Sequence, residues 1–364
     1  MKVAGRPMRT IWPGDDGRSV WIIDQTRLPH RFETRRLGSA ADAAQAIRQM
    51  WVRGAPLIGV AAAYGLWLQA LHDPSDSALA AARAELLATR PTAVDLRFAL
   101  DAVCEALRGE PPSSRAERAR AEADRLAEEN VAACRAIGAH GAPLLEAIHA
   151  RSGLPVQVLT HCNAGWLATV DWGTALAPIY AAHERGVPLH VWVDETRPRN
   201  QGASLTAWEL LEQGIPHTVV ADNAGGHLMQ RGRVELVLVG SDRTTARGDV
   251  CNKIGTLEKA LAAREYGVPF HVAVPASTIE WTIEDGTRIP IEERSGDELR
   301  RVAGRREDGE LVTVEILPAG SAVANPAFDV TPARLVSGLV TERGRCAASR
   351  EGLLSLYPER RRGS

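Results

Sequence analysis

The sequence predicts an α/β protein: a mainly helical N-terminal domain followed by a C-terminal domain built on a parallel sheet. Three patterns point to it. Up to Ile137 the chain reads as helices. After about residue 150, short apolar runs alternate with helical stretches. Each apolar run ends in a polar or glycine-bearing cluster, so the clusters fall in phase along the chain.

The elements follow in order. A strand pair is expected near Ile11 to Asp24, with Gly14 to Gly17 as its turn. Helices are expected over Ala40 to Val52, Leu57 to Leu71, Ser77 to Thr89, Leu96 to Gly109 and Arg115 to Ile137, with Pro111-Pro112-Ser113-Ser114 breaking the last two. Buried-type strands are expected at Val156 to Thr160, Leu189 to Val193, Thr218 to Ala221, Val234 to Val239 and Phe270 to Val274. Helices between them are expected at Thr174 to Arg185, Leu205 to Gln213, Gly225 to Arg231 and Ile254 to Tyr266. Three of these end in Gly186-Val187-Pro188, Gly214-Ile215-Pro216 or Gly267-Val268-Pro269. Glycine terminates the helix and proline two residues on prevents its continuation. Strand alternating with helix implies a parallel sheet with helices on both faces, a Rossmann-like arrangement. The expected division is 1–130, mainly helical with a short β-hairpin, and 131–364, the Rossmann-like catalytic domain.

Composition narrows the function classes. Hydrophobic residues make up 45% of the chain and charged residues 24%, the profile of a folded globular protein. A net charge of -2 gives no electrostatic case for nucleic acid or membrane partners. The basic run Glu359 to Arg362 is expected to be a solvated end. The cysteine count is five, odd and without a Cys-x-x-Cys pair, which argues against a disulfide framework or structural zinc and fits a reducing cytoplasm. Met1 to Pro13 lacks the apolar core of a signal peptide. Gly54 to Leu71 carries no charge, but its glycines and alanines suit a close-packed core helix better than a span. Lysine occurs only at Lys2, Lys253 and Lys259, against 40 arginines. Lys253 stands out in a chain that otherwise uses arginine for positive charge. An ordinary residual lysine is the competing reading.

In an open parallel sheet, ligands bind at the carboxyl ends of the strands. The clusters there are Thr160 to Gly165, Asp194 to Arg197, Asp222 to Gly226, Gly240 to Arg243 and Pro275 to Thr278. Together they argue for one shared site. No Gly-x-Gly-x-x-Gly follows the first strand, and neither a Walker loop nor His-Glu-x-x-His occurs, so no cofactor is expected. His161, His217 and His227 lack ligand spacing, so no metal is expected. Cys162 lies just past a strand, beside His161; strand alternation lets only one of the two face the site. A buried small hydrophobe is the alternative for Cys162. Asp242 follows the apolar run Val234 to Val239, so its carboxyl is expected between apolar walls that raise its pKa toward that of a general acid. An N-cap, or a salt bridge to Arg243 or Arg247, is the alternative. Asn252-Lys253-Ile254-Gly255-Thr256 is expected to open a helix and offer an anion site, and Asn223 to Gly226 is a second helix start of that type. Arg53-Gly54-Ala55 and Arg90-Pro91-Thr92 sit at helix boundaries where a guanidinium can meet phosphate. Gln201 can place an amide over a sugar hydroxyl.

Several strings resemble the methylthioribose-1-phosphate isomerase family: RGAPLIGVAAAYG, RPTAV, LTHCNAGWLAT, VDETRPRNQGASLTAWEL, DNAGGHLM, GSDRTTARGDVCNKIGT, IPIEER and NPAFDVTP. They cover the chain from about Ile11 to Arg345. The resemblance implies conversion of 5-methylthioribose 1-phosphate to 5-methylthioribulose 1-phosphate in methionine salvage. It implies Asp242 as proton donor and Cys162 as transition-state stabiliser or base. It implies Arg53, Gly54, Ala55, Arg90, Gln201, Asn252 and Lys253 as substrate-holding residues, and a homodimer. Asp95, Phe98, Asn200, Ser204 and Cys251 depart from residues common in the family. These bear on the 5-substituent pocket and leave 5-deoxyribose 1-phosphate as an alternative substrate; ribose 1,5-bisphosphate, which needs a second phosphate site there, is the other enzymatic alternative. A non-catalytic regulatory subunit on the same fold is the alternative of another class.

Overall fold

The computed structural model describes residues 1–90 and 93–363. Pro91 and Thr92, part of one expected phosphate-facing boundary, lie outside the described residues. Two short strands, β1 (Lys2–Val3) and β2 (Arg6–Pro7), pair at the start. The expected hairpin forms as β3 (Ile11–Pro13) and β4 (Val20–Ile23), and β5 (Thr34–Leu37) adds a third antiparallel strand. Five helices follow: α1 (Ala40–Arg48), α2 (Ala55–His72), α3 (Asp76–Thr89), α4 (Val94–Ala106) and α5 (Pro112–Ser152). Ser39 and Ser75 cap α1 and α3 by accepting the amides of Asp42 and Ala78. The uncharged stretch is α2, and 72% of it is buried inside the fold.

The expected boundary after residue 130 falls inside α5, which runs on past Ile137 to Ser152. Its first half packs Ala119, Ala123, Leu126 and Val131 into the helical core. Its second half packs Ile137, Ala142, Leu145 and Ile148 against the sheet. Gly138 and Gly141 do not end the helix, because Ala177 and Pro178 lie against them. A Cβ at Gly141 would sit 2.4 Å from Pro178 Cγ. Close packing overrides glycine's local preference here, and one helix serves both units.

The remaining chain forms β6 (Val156–Thr160), α6 (Ala177–Glu184), β7 (Leu189–Asp194), α7 (Ala207–Glu212), β8 (His217–Val220), α8 (Ala224–Gln230) and β9 (Leu236–Val239). Next come β10 (Arg243–Thr245), β11 (Val250–Lys253), α9 (Thr256–Glu265), β12 (Phe270–Ala273) and β13 (Ile279–Glu280). A short turn of helix, α10 (Asp297–Arg300), leads into a hairpin of β14 (Arg301–Arg305) and β15 (Leu311–Glu315). The chain closes with β16 (Phe328–Thr331), β17 (Gly338–Thr341), β18 (Gly344–Cys346) and α11 (Arg350–Leu356).

The main sheet has the order β18-β17-β12-β9-β6-β7-β8. Neighbouring strands are parallel except β17 and β18. Strand β9 is buried at every position, as a strand covered on both faces must be. The chain runs from β6 outward through β7 to β8, then crosses back to place β9 on the other side of β6. Strand order therefore reverses between β6 and β9, and a crevice opens at their carboxyl ends. A second sheet, β13-β10-β11-β16, begins directly after β9. Its strands are absent from the sequence reading, which expects Asn252 and Lys253 to open a helix. They instead end β11, and α9 starts at Thr256 after Gly255 turns with φ 100°.

Candidate active site

A cleft enclosing about 730 Å³ lies at the β6/β9 reversal. Arg53, Gly54, Ala55, Arg90, Cys162, Gln201, Asp242, Asn252 and Lys253 all line it. The nine residues expected from the sequence are thus brought together, from segments up to two hundred positions apart.

The Cys162 end is built from β6 outward. The Thr160 hydroxyl donates to the Leu238 carbonyl at 2.8 Å, tying the ends of β6 and β9. Cys162 then adopts a left-handed backbone with φ 65°. That conformation costs an L-residue about 1 kcal/mol and is held by its surroundings. The Cys162 amide donates to Thr196 Oγ1 at 2.8 Å, and the Thr206 hydroxyl donates to the Cys162 carbonyl at 2.7 Å. Thr206 closes a π-helical turn, Gly202–Thr206, directly after Gln201. The left-handed turn ends the strand alternation, so His161 and Cys162 both line the cleft, contrary to expectation.

Beneath this loop lies Glu209, fully buried. Its carboxylate accepts the Trp166 and Leu167 amides and the Asn163 side-chain amide, each at 2.9 Å, and the Tyr180 hydroxyl at 2.6 Å. Burial lifts the Glu209 carboxyl, and these donors oppose the lift. Gly165 has no room for a side chain, since a Cβ would lie 1.8 Å from Glu209 Oε2. Asn163 passes the constraint on to Arg53, which donates to its side-chain oxygen at 2.9 Å and its carbonyl at 2.8 Å. Gly54 follows with φ 97°, and a Cβ there would meet the Ala168 carbonyl at 2.4 Å. The sequence places Gly54 where only glycine brings the first turn of α2 this close to the cleft.

The Asp242 end is looser. The Asp242 amide donates to the Cys251 carbonyl at 3.0 Å, which pins the residue to β11. Its carboxyl is half-buried, and burial lifts it above the usual range; Lys253, Arg90, Arg53 and Arg294 oppose the lift. Among the described residues no salt bridge joins Asp242 to Arg243 or Arg247. Arg243 pairs with Glu280 at 3.4 Å and Arg247 with Glu284 at 2.9 Å. Burial likewise pushes the Cys162 thiol up, with Arg53 and Lys253 opposing. Lys253 is 6% exposed; its ammonium donates to the Ala327 carbonyl at 2.8 Å and sits 4.5 Å over the Phe328 ring. Arg90 pairs with Glu292 at 3.0 Å. Asn252 donates to Thr256 Oγ1 at 3.0 Å. Gln201 is buried, and its Oε1 has no hydrogen-bond partner among the described residues.

Three expected features fall elsewhere. The first amides of α9 are not free for an anion. Asp329 takes the Gly255 amide at 2.7 Å and the Leu257 amide at 3.1 Å. Neither the cluster after β7, Asp194 to Arg197, nor the cluster after β8, with the helix start at Asn223, lines the cleft; Asp222 accepts the Thr196 amide at 2.6 Å and the Arg197 amide at 2.7 Å. The two outer strand ends thus brace each other and support the Cys162 loop, whose amide Thr196 accepts.

Met50, Arg294 and Phe328 also line the cleft without having been expected there, and Asn163 lines it from within the expected Thr160 to Gly165 cluster. Arg294 is 8% exposed at its side chain and lies between Glu292 at 3.5 Å and Glu298 at 3.8 Å. It belongs to the IPIEER string, and no helix or strand periodicity brackets it. A second cavity adjoins the cleft through Met50, Arg53 and Gln201 and runs under the β14–β15 hairpin. Asn200 and Ser204 line it. His161, Asp194 and Asp222 are the metal-type cluster among the described residues, with ligand atoms within 4.8 Å of one another. The Lys259 ammonium, 3.4 Å from Asp194 Oδ2, supplies a cation to that cluster.

The chain belongs to the initiation factor 2 subunit family, whose model matches residues 51–348. Within that family it belongs with the methylthioribose-1-phosphate isomerases. A protein of that name from Methylobacterium nodulans is 65% identical over the full length of both chains. One from Rhodospirillum rubrum is 61% identical, covering 99% of this chain and 94% of its own. Among solved structures, 5-methylthioribose 1-phosphate isomerase from Pyrococcus horikoshii superposes with a TM-score of 0.84 at 37% identity, covering 97% of each chain. An A. fulgidus protein described as translation initiation factor eIF-2B, subunit delta, superposes with a TM-score of 0.80 at 38% identity, covering 97% of this chain and 100% of its own.

Proposed function

We propose that this protein is an aldose–ketose isomerase acting on 5-methylthioribose 1-phosphate, and that the cleft is where it acts. The observation that carries the reading is the gathering of nine expected residues around one cleft with a lifted carboxyl at one end. The anomeric oxygen of the substrate is esterified, so its ring does not open as a free hemiacetal does. Asp242 gives its proton to the ring oxygen as the bond from C1 breaks. The C2 hydrogen ends on C1, the C2 hydroxyl becomes the carbonyl, and its proton returns to the enzyme. Atoms and electrons balance without an external oxidant. The lifted Cys162 thiol stays neutral near neutral pH, which favours a wall beside a shifting hydride over a proton-abstracting base.

Arg53, Arg90 and Lys253 face the phosphate, with the first turn of α2 at Gly54 and Ala55, which no side chain caps. Gln201, with its unpartnered Oε1, and Asn252 take sugar hydroxyls. The five cysteines are all free, which fits a cytoplasmic enzyme. A homodimer and a role in methionine salvage complete the reading. For ribose 1,5-bisphosphate, a second phosphate would need unpaired basic groups in the adjoining cavity. Arg27, Arg199 and Arg301 there are paired with Glu33 at 3.6 Å, Glu298 at 3.0 Å and Glu315 at 3.5 Å, which speaks against it, and Arg53, shared with the cleft, is bonded to Asn163.

The test is turnover of purified protein on methylthioribose 1-phosphate, 5-deoxyribose 1-phosphate and ribose 1,5-bisphosphate. The reading expects the first to be converted best. Conversion of none of the three contradicts it and leaves the regulatory alternative.

A further inference from the structure

The reaction described above leaves the ring of His161 unused. It follows β6 directly, is 1% exposed and lines the cleft beside Cys162. Its Nε2 lies 2.8 Å from the Ile254 carbonyl oxygen. A carbonyl only accepts, so Nε2 carries a proton. Its Nδ1 lies 2.9 Å from Asp194 Oδ2. The same oxygen is 3.4 Å from the Lys259 ammonium, which only donates. The ring thus bridges the Ile254 carbonyl and the Asp194 carboxyl.

Charged groups from four elements surround the ring. Asp194 ends β7, and Asp222 from the loop after β8 brings a carboxylate oxygen within 4.8 Å of the cluster's other ligand atoms. Lys259 on α9 lies 3.4 Å from Asp194 Oδ2. Asp329 on β16 accepts two amides of the α9 start. The ring is thus held among buried partners on separate elements.

We propose that His161 is a positioning residue that clamps the Cys162 loop to the turn carrying Asn252 and Lys253. Its Nε2 holds Ile254, the residue after Lys253. Its Nδ1 anchors it to Asp194 at the end of β7. The clamp therefore joins three strand ends, β6, β7 and β11, beneath one wall of the cleft. A Cβ at Gly255 would meet the ring at 3.0 Å, so the turn fits closely over the imidazole. The ring does not touch the reacting atoms. It fixes the spacing between the Cys162 thiol and the Lys253 ammonium, and so acts on substrate holding. Only the kinetic part of this inference rests on the isomerase reading.

The clamp is read first without substrate, by thermal melting of the full-length protein. His161→Phe, which loses both ring hydrogen bonds, is expected to lower the melting temperature, and His161→Gln to recover part of the loss. An unchanged melting temperature in His161→Phe overturns the clamp. This arm stands even if the isomerase reading fails. In kinetics, His161→Phe is expected to raise KM for the sugar phosphate about ten-fold or more, with a smaller change in kcat, and His161→Gln, which keeps one N–H donor, to recover part of the loss. An unchanged KM overturns the positioning role. So does a loss confined to kcat in both variants, which would put the ring on the reacting atoms.

Discussion

The two ends of the cleft are held in opposite ways. At the Cys162 end, backbone amide and carbonyl are both bonded, by Thr196 and Thr206, and Glu209 ties four donors beneath the loop. At the Asp242 end, one backbone bond to Cys251 holds the residue, and no ion pair among the described residues includes its carboxyl. The first end is a fixed wall. The second keeps a carboxyl in a dry setting with cations set back from it, where its proton is the adjustable quantity. Rigidity and proton delivery are thus assigned to different strands, β6 and β9, on either side of the order reversal.

The sharpest way to separate the two ends is Asp242→Asn. Turnover is expected to fall about 10³-fold, the scale of a lost general acid, with no loss in thermal stability. Residual activity within ten-fold of wild type would return the acid role to another group. Glu209→Gln attacks the opposite end. It places an amide N–H₂ where the carboxylate accepted donors and is expected to cost about 3 kcal/mol, read as a lower midpoint in urea. A midpoint unchanged within error would mean the wall does not depend on this hub. Cys162→Ser keeps the left-handed turn and is expected to lower turnover about 10²-fold while KM changes little. Equal loss of substrate binding would instead assign the thiol to holding.

The smallest effect concerns Asp95, which lies at the start of α4 and is 4% exposed. Neither of its oxygens makes a hydrogen bond at bonding geometry among the described residues. Burial pushes its carboxyl up to about 6, with Ser277 opposing and Asp242 adding. A folded-state value raised above the unfolded one means that the proton is bound more tightly in the fold. The cost is therefore nil below the unfolded pKa and grows as pH rises through about 6. Asp95→Asn is expected to stabilise the protein by about 2 kcal/mol at about pH 8, after allowance for a buried amide, and by almost nothing at about pH 4. A gain that does not vary with pH would show that charge is not the cause.

Much of this was legible in the sequence, for stated reasons. The strand Val156–Thr160 was read to the residue because a buried parallel strand is an uninterrupted apolar run bounded by breakers. The site residues were legible because strand ends in a parallel sheet share one edge, and because the strings resemble a known family. The second sheet was not legible. Strands such as Arg243–Thr245 are three residues long and carry no alternation to detect. The continuation of α5 was hidden because Gly138, Gly141 and Pro143 speak locally for a break, and only packing against Ala177 and Pro178 reverses that. Arg294 was missed because it lies in an irregular segment whose place in the cleft is set by contacts with Met50 and Glu292. Strand alternation lets only one of His161 and Cys162 face the cleft, and the positive φ of Cys162 suspends that rule.

The central claim is that Asp242 must hold its proton to act, and the alkaline limb of the pH–rate profile tests it most directly. Wild-type kcat/KM is expected to fall as pH rises through a single ionisation lying above the ordinary carboxylate range, since the working form is the protonated one. The residual activity of Asp242→Asn, whose amide does not titrate, is expected to lack that limb. The same limb in both proteins would contradict the account.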